Sequence, residues 1–343
     1  MVIVLHTVSM RQTVGVTGAA GHLGGVLTRS LMEKGCRVKT LCHKDRRALE
    51  GLEVEIIWGD ILDAGRMETF AAGCDAVVHC AGIISIGGAQ RGQVFRSNTE
   101  GPRNISAACL KTGVPRLIHV SSVHAVQELP ERPVFDETNP YKERNSPVYD
   151  YSKACGEQIV IEVFRSGKLS GCVIRPSAII GPYDFKPSKL GQATLDLYRG
   201  HIPALPPGGY NFVDVRDVAE AICTAISLSH SEMPAGAPIF NLTGYYLSMA
   251  EYATLIERLG GHGPPRLSLS ASVMKAFLPF IKLWARIRHM EQAYTLEMIK
   301  ALTSGHPNMS SDRARETLAF RPRPLEETLR DFIAWGKERG DLS

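Results

Sequence analysis

The sequence predicts an α/β fold, a doubly wound parallel sheet with helices on both faces, followed by a smaller and mostly helical C-terminal region. Three observations carry that expectation. Short β-branched runs alternate with helical patterns through the first half of the chain, as successive βαβ units do. The strand-like runs are almost continuously apolar, which a strand covered on both faces requires. A glycine-rich turn follows the first run and opens the first helical stretch.

Taken in order, residues 13–17, 37–42, 54–58, 76–80, 116–121 and 171–175 read as six strands, with helices over 23–34, 65–72, 101–112 and 150–164 between them. From Pro176 onward Pro and Gly become frequent, and 181–183, 203–209 and 260–265 read as loops,. Residues 212–218 and 239–242 look strand-like again, so the chain is expected to revisit the sheet. The expected division is a dinucleotide-binding domain over 1–175, to which 211–243 return, and a cap over 176–210 and 244–343 that carries substrate specificity.

Composition bounds the function. At 343 residues, 44% hydrophobic and 22% charged, the chain is ordinary globular material,. A net charge of +4 with no Lys/Arg block between aromatics gives no footprint for nucleic acid,. Eight cysteines form no CxxC pair and none sits beside a His at metal-ligand spacing, so no metal site is expected and the thiols read as free and buried, suiting a reducing cytoplasm. The opening run 1–9 lacks a basic segment and a cleavage site, and Met10 reads as a natural start. No stretch reaches the ~20 apolar residues of a membrane helix, so stable membrane insertion is not expected. The nearest, 267–287, contains Lys275, Pro279 and Lys282; it reads as an amphipathic helix over a substrate pocket, with interfacial membrane contact as the alternative.

The turn Thr17-Gly18-Ala19-Ala20-Gly21-His22-Leu23-Gly24 places glycines at i, i+3 and i+6 between a strand and a helix. The backbone N–H groups over Gly18, Ala20, Gly21, His22, Leu23 and Gly24 can therefore approach a pyrophosphate at a helix start; a merely structural turn is the plainer alternative. At the end of the second strand, Cys42-His43-Lys44-Asp45-Arg46-Arg47 holds no acid where a ribose 2′-hydroxyl is usually accepted,. His43 and Lys44 favour a 2′-phosphate, hence NADP over NAD. If the segment is only a solvated turn, Asp45 could still serve NAD. Asp60-Ile61 after the third strand and Cys80-Ala81-Gly82 at the end of the fourth lie at the carboxyl edge, where small side chains admit a flat cofactor.

Tyr149 and Lys153 stand at i and i+4 on one helical face,. A phenol is a poor base at neutral pH, and a neighbouring ammonium favours its ionised form, so Lys153 is expected to make Tyr149 usable. Tyr151 lies off that face and reads as packing or substrate-facing. Ser122 ends the run Leu117-Ile118-His119-Val120-Ser121-Ser122 and can offer a neutral donor to the same pocket; a turn-capping serine is the alternative.

The glycine motif, Asp60-Ile61, Ser122 and Tyr149/Lys153, with Asn98 in Ser97-Asn98-Thr99-Glu100-Gly101, Arg175-Pro176 before Gly181-Pro182, and Asp214-Val215-Arg216-Asp217, resemble the extended short-chain dehydrogenase/reductases over nearly the whole chain. The resemblance implies a Rossmann fold, a catalytic set of Ser122, Tyr149 and Lys153, and coenzyme contacts that include Asn98, Tyr149, Lys153 and Pro176. Asn98 is expected to organise backbone or a relay water, or only to cap a helix. The apolar 273–284 stretch makes the chain similar to the 3β-hydroxysteroid dehydrogenase and dihydroflavonol reductase branch. The implied activity interconverts a ketone and a secondary alcohol on a small hydrophobic substrate. Sugar-nucleotide epimerases or dehydratases, which recycle their NAD internally, are the rival, with Arg199, Arg258 and Arg266 left open for a diphosphate. A non-catalytic NADP-binding regulator is the third possibility. The resemblance also implies a homodimer built through 101–112 and 150–164.

Overall fold

The structure is a computed structural model and describes residues 12–85, 91–202, 204–265 and 305–342. The Met10 start, Arg266 and the apolar stretch 267–287 lie outside the described residues.

Seven strands form one all-parallel sheet: β1 (Thr13–Thr17), β2 (Arg37–Cys42), β3 (Glu55–Trp58), β4 (Ala76–His79), β5 (Arg116–Val120), β6 (Ser170–Pro176) and β9 (Ile239–Leu242). Their spatial order is β3-β2-β1-β4-β5-β6-β9. The order reverses between β1 and β4, and a crevice opens at such a reversal outside the carboxyl ends of the strands. Because successive side chains point to opposite faces, each strand feeds two cores. Val14, Val16 and Val78 pack against α1 (His22–Glu33) and α6 (Val215–Ser227). Val77, Leu117 and Val173 pack against α2 (Ala64–Ala71), α3 (Arg91–Thr112) and α4 (Val148–Arg165).

A second sheet of three strands, ordered β10-β8-β7, is built from β7 (Ala178–Ile180), β8 (Gly209–Asp214) and β10 (Tyr245–Ser248). With α5 (Lys189–Tyr198), α7 (Met249–Arg258) and α9 (Leu325–Glu338) it encloses a third core around Phe212, Tyr252 and Phe332. The helix between, α8 (Asp312–Thr317), adds Ala314 to the core under α1, joined there by Leu318 and Phe320. Arg29 of α1 lies over the rings of Tyr183 and Phe185 at 5.2 and 5.1 Å, and Phe185 meets Trp335 of α9 edge-on at 5.5 Å. Among the described residues no helix is long and apolar enough to cross a membrane.

Two elements differ from the sequence reading. Helix α3 begins at Arg91 rather than near 101 and runs through Pro102. The run 212–218 is not one strand: β8 ends at Asp214, whose Oδ1 accepts the Arg216 N–H at 2.7 Å and caps α6. Alternating apolar residues on either side of a capping aspartate mimic a strand, yet the cap starts a helix. β8 pairs in the small sheet, and α6 and β9 rejoin the large one.

Candidate active site

Gly18 adopts φ +71, a left-handed backbone that glycine tolerates best,. A side chain on Gly24 would fall on the Gly18 carbonyl oxygen, so the turn and the helix start can close only on glycine. Helix α1 then begins after Gly21 with no side-chain cap and no acid in its first turn. Its leading N–H groups, from His22 through Leu23 and Gly24, thus have no side-chain acceptor, and Ala20 adds no bulk; the loop fits a diphosphate. The His22 ring turns away from the loop. Its Nε2 bonds the Pro182 carbonyl at 3.0 Å and its Nδ1 lies 4.0 Å from Asp184 Oδ2.

At the end of β2, the Asp45 carboxylate accepts three N–H groups of Arg47, from its backbone at 3.0 Å, Nε at 3.1 Å and Nη2 at 2.6 Å. Arg47 thereby holds that carboxyl down at about 2. Exposed His43 and Lys44 stand beside it, with His43 Nε2 3.7 Å from Asp60 Oδ2 across the β2 and β3 ends. Asp60 Oδ1 accepts the Leu62 N–H at 3.0 Å, and the Ile61 carbonyl accepts from Asn104 at 3.0 Å, which fixes that turn. After β4, Ala81 N donates to Thr17 Oγ1 at 3.3 Å, closing the β1 and β4 ends on one another. Burial pushes the Cys80 thiol up to about 12, so it is packing material rather than a nucleophile,.

Ser122 follows β5 in extended backbone, with its Oγ accepting the His124 N–H at 3.1 Å. The same hydroxyl hydrogen-bonds the phenol of Tyr149, in the first turn of α4. Burial pushes that phenol up to about 12; the Ser122 bond opposes the shift and the Asp150 carboxylate adds to it. Lys153, one turn further, donates from Nζ to the Val120 carbonyl at 3.0 Å. Burial brings its ammonium down to about 8, against the pull of Glu157 and Cys80. The local balance therefore departs from the sequence expectation. Lys153 is directed at the β5 backbone, and the hydrogen bond that eases Tyr149 ionisation comes from Ser122.

Asn98 sits inside α3 and caps no helix. Its Oδ1 accepts the Ile83 N–H at 2.9 Å, while Nδ2 donates to Ile83 O at 3.1 Å and Ser152 Oγ at 2.9 Å. It organises backbone, clamping the loop after β4 to α4. A Cβ on Gly82 would lie 3.0 Å from Asn98 Oδ1 and 3.8 Å from Lys153 Nζ, so that glycine brings the loop against the same corner. Tyr151 stacks on Phe95 at 5.6 Å and is packing. Pro176 ends β6 opposite Leu242.

Sequence reasoning missed three neighbours of this corner. His124 Nδ1 lies 3.8 Å from Asp150 Oδ1. Arg175 and Glu157 form a salt bridge with side chains 1% and 0% exposed, and Tyr141 donates to Glu157 Oε1 at 2.9 Å. A cavity of about 20 Å³ is lined by His124, Glu128, Ser177, Tyr210, Asn211 and Met309. Ser177 Oγ and Asn211 Oδ1 are buried there without a hydrogen-bond partner among the described residues, which marks them as groups available to a ligand. All depend on residues far apart in sequence, so no local spacing signals them. Among the described residues no cluster of His, Cys, Asp and Glu could hold a metal ion.

Comparison with known proteins bears on this geometry. The model of the NAD dependent epimerase/dehydratase family matches residues 14–242. Sterol demethylase protein B of Methylococcus capsulatus is 30% identical over 331 residues, 95% of this chain and 98% of that one. A putative dihydroflavonol 4-reductase of Synechocystis sp. is 34% identical over 222 residues, 62% of this chain and 63% of its own length. Among solved structures, the crystal structure of gox2253 matches with a TM-score of 0.82 at 29% identity, covering 97% of this chain and 100% of that one.

Proposed function

The chain belongs to the NAD dependent epimerase/dehydratase family, enzymes of the extended short-chain dehydrogenase/reductase type that use NAD(P), and from that premise we propose that it interconverts a ketone and a secondary alcohol on a hydrophobic, steroid-like or flavonoid-like substrate. The observation that carries the reading is the Tyr149 phenol, hydrogen-bonded to Ser122 at the edge where the glycine turn opens. The names of the sterol demethylase protein and the dihydroflavonol reductase relatives support the substrate class.

The nicotinamide, when bound, supplies or takes up the hydride. The chain's own residues do the rest. Tyr149 gives the proton to the substrate oxygen in reduction and takes it in oxidation, and Ser122 hydrogen-bonds the same oxygen. Lys153 holds the ribose beside Asn98 and Gly82. The turn from Gly18 to Gly24 takes the diphosphate, and residues 80–82 with Pro176 flank the nicotinamide side. NADP is the preferred coenzyme on this reading, because Arg47 already occupies Asp45 while His43 and Lys44 remain exposed. A homodimer across α3 and α4 is part of the same reading; exposed Phe95 and Leu110 on α3 support it.

The test is nicotinamide absorbance during incubation with NADP or NAD and a panel of hydroxysteroids, flavanols and simple secondary alcohols. Cofactor reduction by a panel member is expected, and Tyr149→Phe is expected to abolish it while binding coenzyme nearly as before. Full turnover in Tyr149→Phe would sink the mechanism. Silence across the panel with coenzyme bound would favour internal recycling on a sugar nucleotide.

A further inference from the structure

We propose that His124 and Asp150 form a positioning pair that sets the charge around the Tyr149 phenol, with the imidazole acting through the carboxylate; this rests on the reading of Tyr149 as the proton donor and acceptor. Three contacts build the pair. The His124 backbone N–H is tied to Ser122 Oγ at 3.1 Å, which fixes the residue two positions beyond the serine that touches Tyr149. Its ring meets the Tyr149 ring edge-on, with centroids 6.2 Å apart at 63°. Its Nδ1 lies 3.8 Å from Asp150 Oδ1, and Asp150 follows Tyr149 directly in α4.

Asp150 is therefore an anion held next to the phenol, with its side chain only 14% exposed, and Lys142 Nζ stands 3.9 Å from its other oxygen. A carboxylate so close opposes formation of a phenolate, and a cation on that carboxylate cancels part of the opposition. Histidine is the side-chain type whose charge changes near neutral pH, so the pair has a switchable member as well as a lysine. The other titratable groups facing His124 are Glu128 and Tyr210, which share its small cavity. Lys153 and Glu157 lie further along α4. Of all these, Asp150 is the charged group that acts on Tyr149 directly.

The two members should move Tyr149 in opposite directions. Removing the anion in Asp150→Asn eases ionisation of the phenol. Removing the imidazole in His124→Gln leaves the carboxylate less compensated and makes ionisation harder. The measurement is the ultraviolet tyrosinate titration of the NADP-bound protein, with Tyr149→Phe subtracted to isolate one of the ten tyrosines. A shift on the order of half a pH unit downward is expected for Asp150→Asn and a comparable shift upward for His124→Gln, allowing for screening at this partly exposed site. The double variant should coincide with Asp150→Asn, since the histidine acts only through the carboxylate. Shifts of the same sign, no shift in either single variant, or a double variant that departs from Asp150→Asn would overturn the proposal. Should Asp150→Asn fail to fold, Lys142→Met takes its place and must shift ionisation upward as His124→Gln does. This readout needs no turnover, so an inactive panel or an active Tyr149→Phe would count against the functional reading and leave the pair to be decided by the titration.

Discussion

Gly18 and Ala81 face each other across the crevice so closely that a Cβ on Gly18 would sit 2.7 Å from the Ala81 backbone nitrogen. Both contact atoms belong to main chain, so neither can swing aside. Gly18→Ala combines that collision with the left-handed φ of +71. The expected cost is roughly 2–3 kcal/mol of stability, together with loss of coenzyme binding because the β1 and β4 ends must part. Thermal unfolding and NADPH fluorescence titration check both; an unchanged melting temperature with unchanged affinity would contradict the packing argument.

Arg47 holds Asp45 in a bidentate side-chain pair with a third bond from its backbone. Arg47→Gln should free that carboxylate to accept a ribose hydroxyl and repel a 2′-phosphate. The ratio of NADP to NAD affinity is expected to fall by about tenfold, the worth of one charge-assisted hydrogen bond. Paired equilibrium titrations measure it, and an unchanged ratio would place coenzyme selection elsewhere.

The Lys153 ammonium, brought down by burial to about 8 from 10.5, carries a pH signature. Below about 8 the group is protonated in both folded and unfolded chains, and the fold bears the full cost of burying its charge. Between 8 and 10.5 the unfolded chain binds more protons, so this contribution to stability rises with pH,. Urea unfolding of the protein and of Lys153→Met across that window should show the parent gaining on the variant as pH rises. A constant difference would mean that the ammonium is not desolvated.

Glu157 neutralises Arg175 inside the protein, where the guanidinium donates to both carboxylate oxygens at 3.0 Å. Glu157→Gln leaves a buried cation without its counter-charge, and the expected loss is roughly 3–5 kcal/mol. Chemical denaturation reads it directly. Replacing both partners with apolar residues of similar volume should recover much of the loss; failure to recover would point to a lost contact with Tyr141 rather than to the stranded charge.

The β-strands of the large sheet were legible because a strand buried on both faces has to be apolar at nearly every position, and each expected strand from 13–17 to 171–175 lies within one or two residues of its observed bounds. The N-terminal half of α3 was not, because Arg91 to Glu100 carries little apolar periodicity and Pro102 imitates a helix start,. The glycine turn and the Ser122, Tyr149 and Lys153 corner announced themselves through fixed short spacings. What those side chains do to one another did not. The turn of Lys153 toward Val120, the reach of His22 to Pro182 and the approach of His124 to Asp150 are set by the packing of separate elements, and no window of sequence contains both partners with their geometry.

The core beneath the first helix includes Ala314, Leu318 and Phe320, and Arg29 is stacked through Phe185 onto Trp335. During synthesis, then, a nascent chain that has emerged only as far as β9 holds every strand of the large sheet yet lacks part of the apolar cover for the face that bears the coenzyme loop. Contacts of such long sequence separation form late and slow folding. The binding competence of the earliest segment thus waits on one of the last to be translated, and a protease cut near 305 would be expected to loosen the glycine turn nearly three hundred residues away.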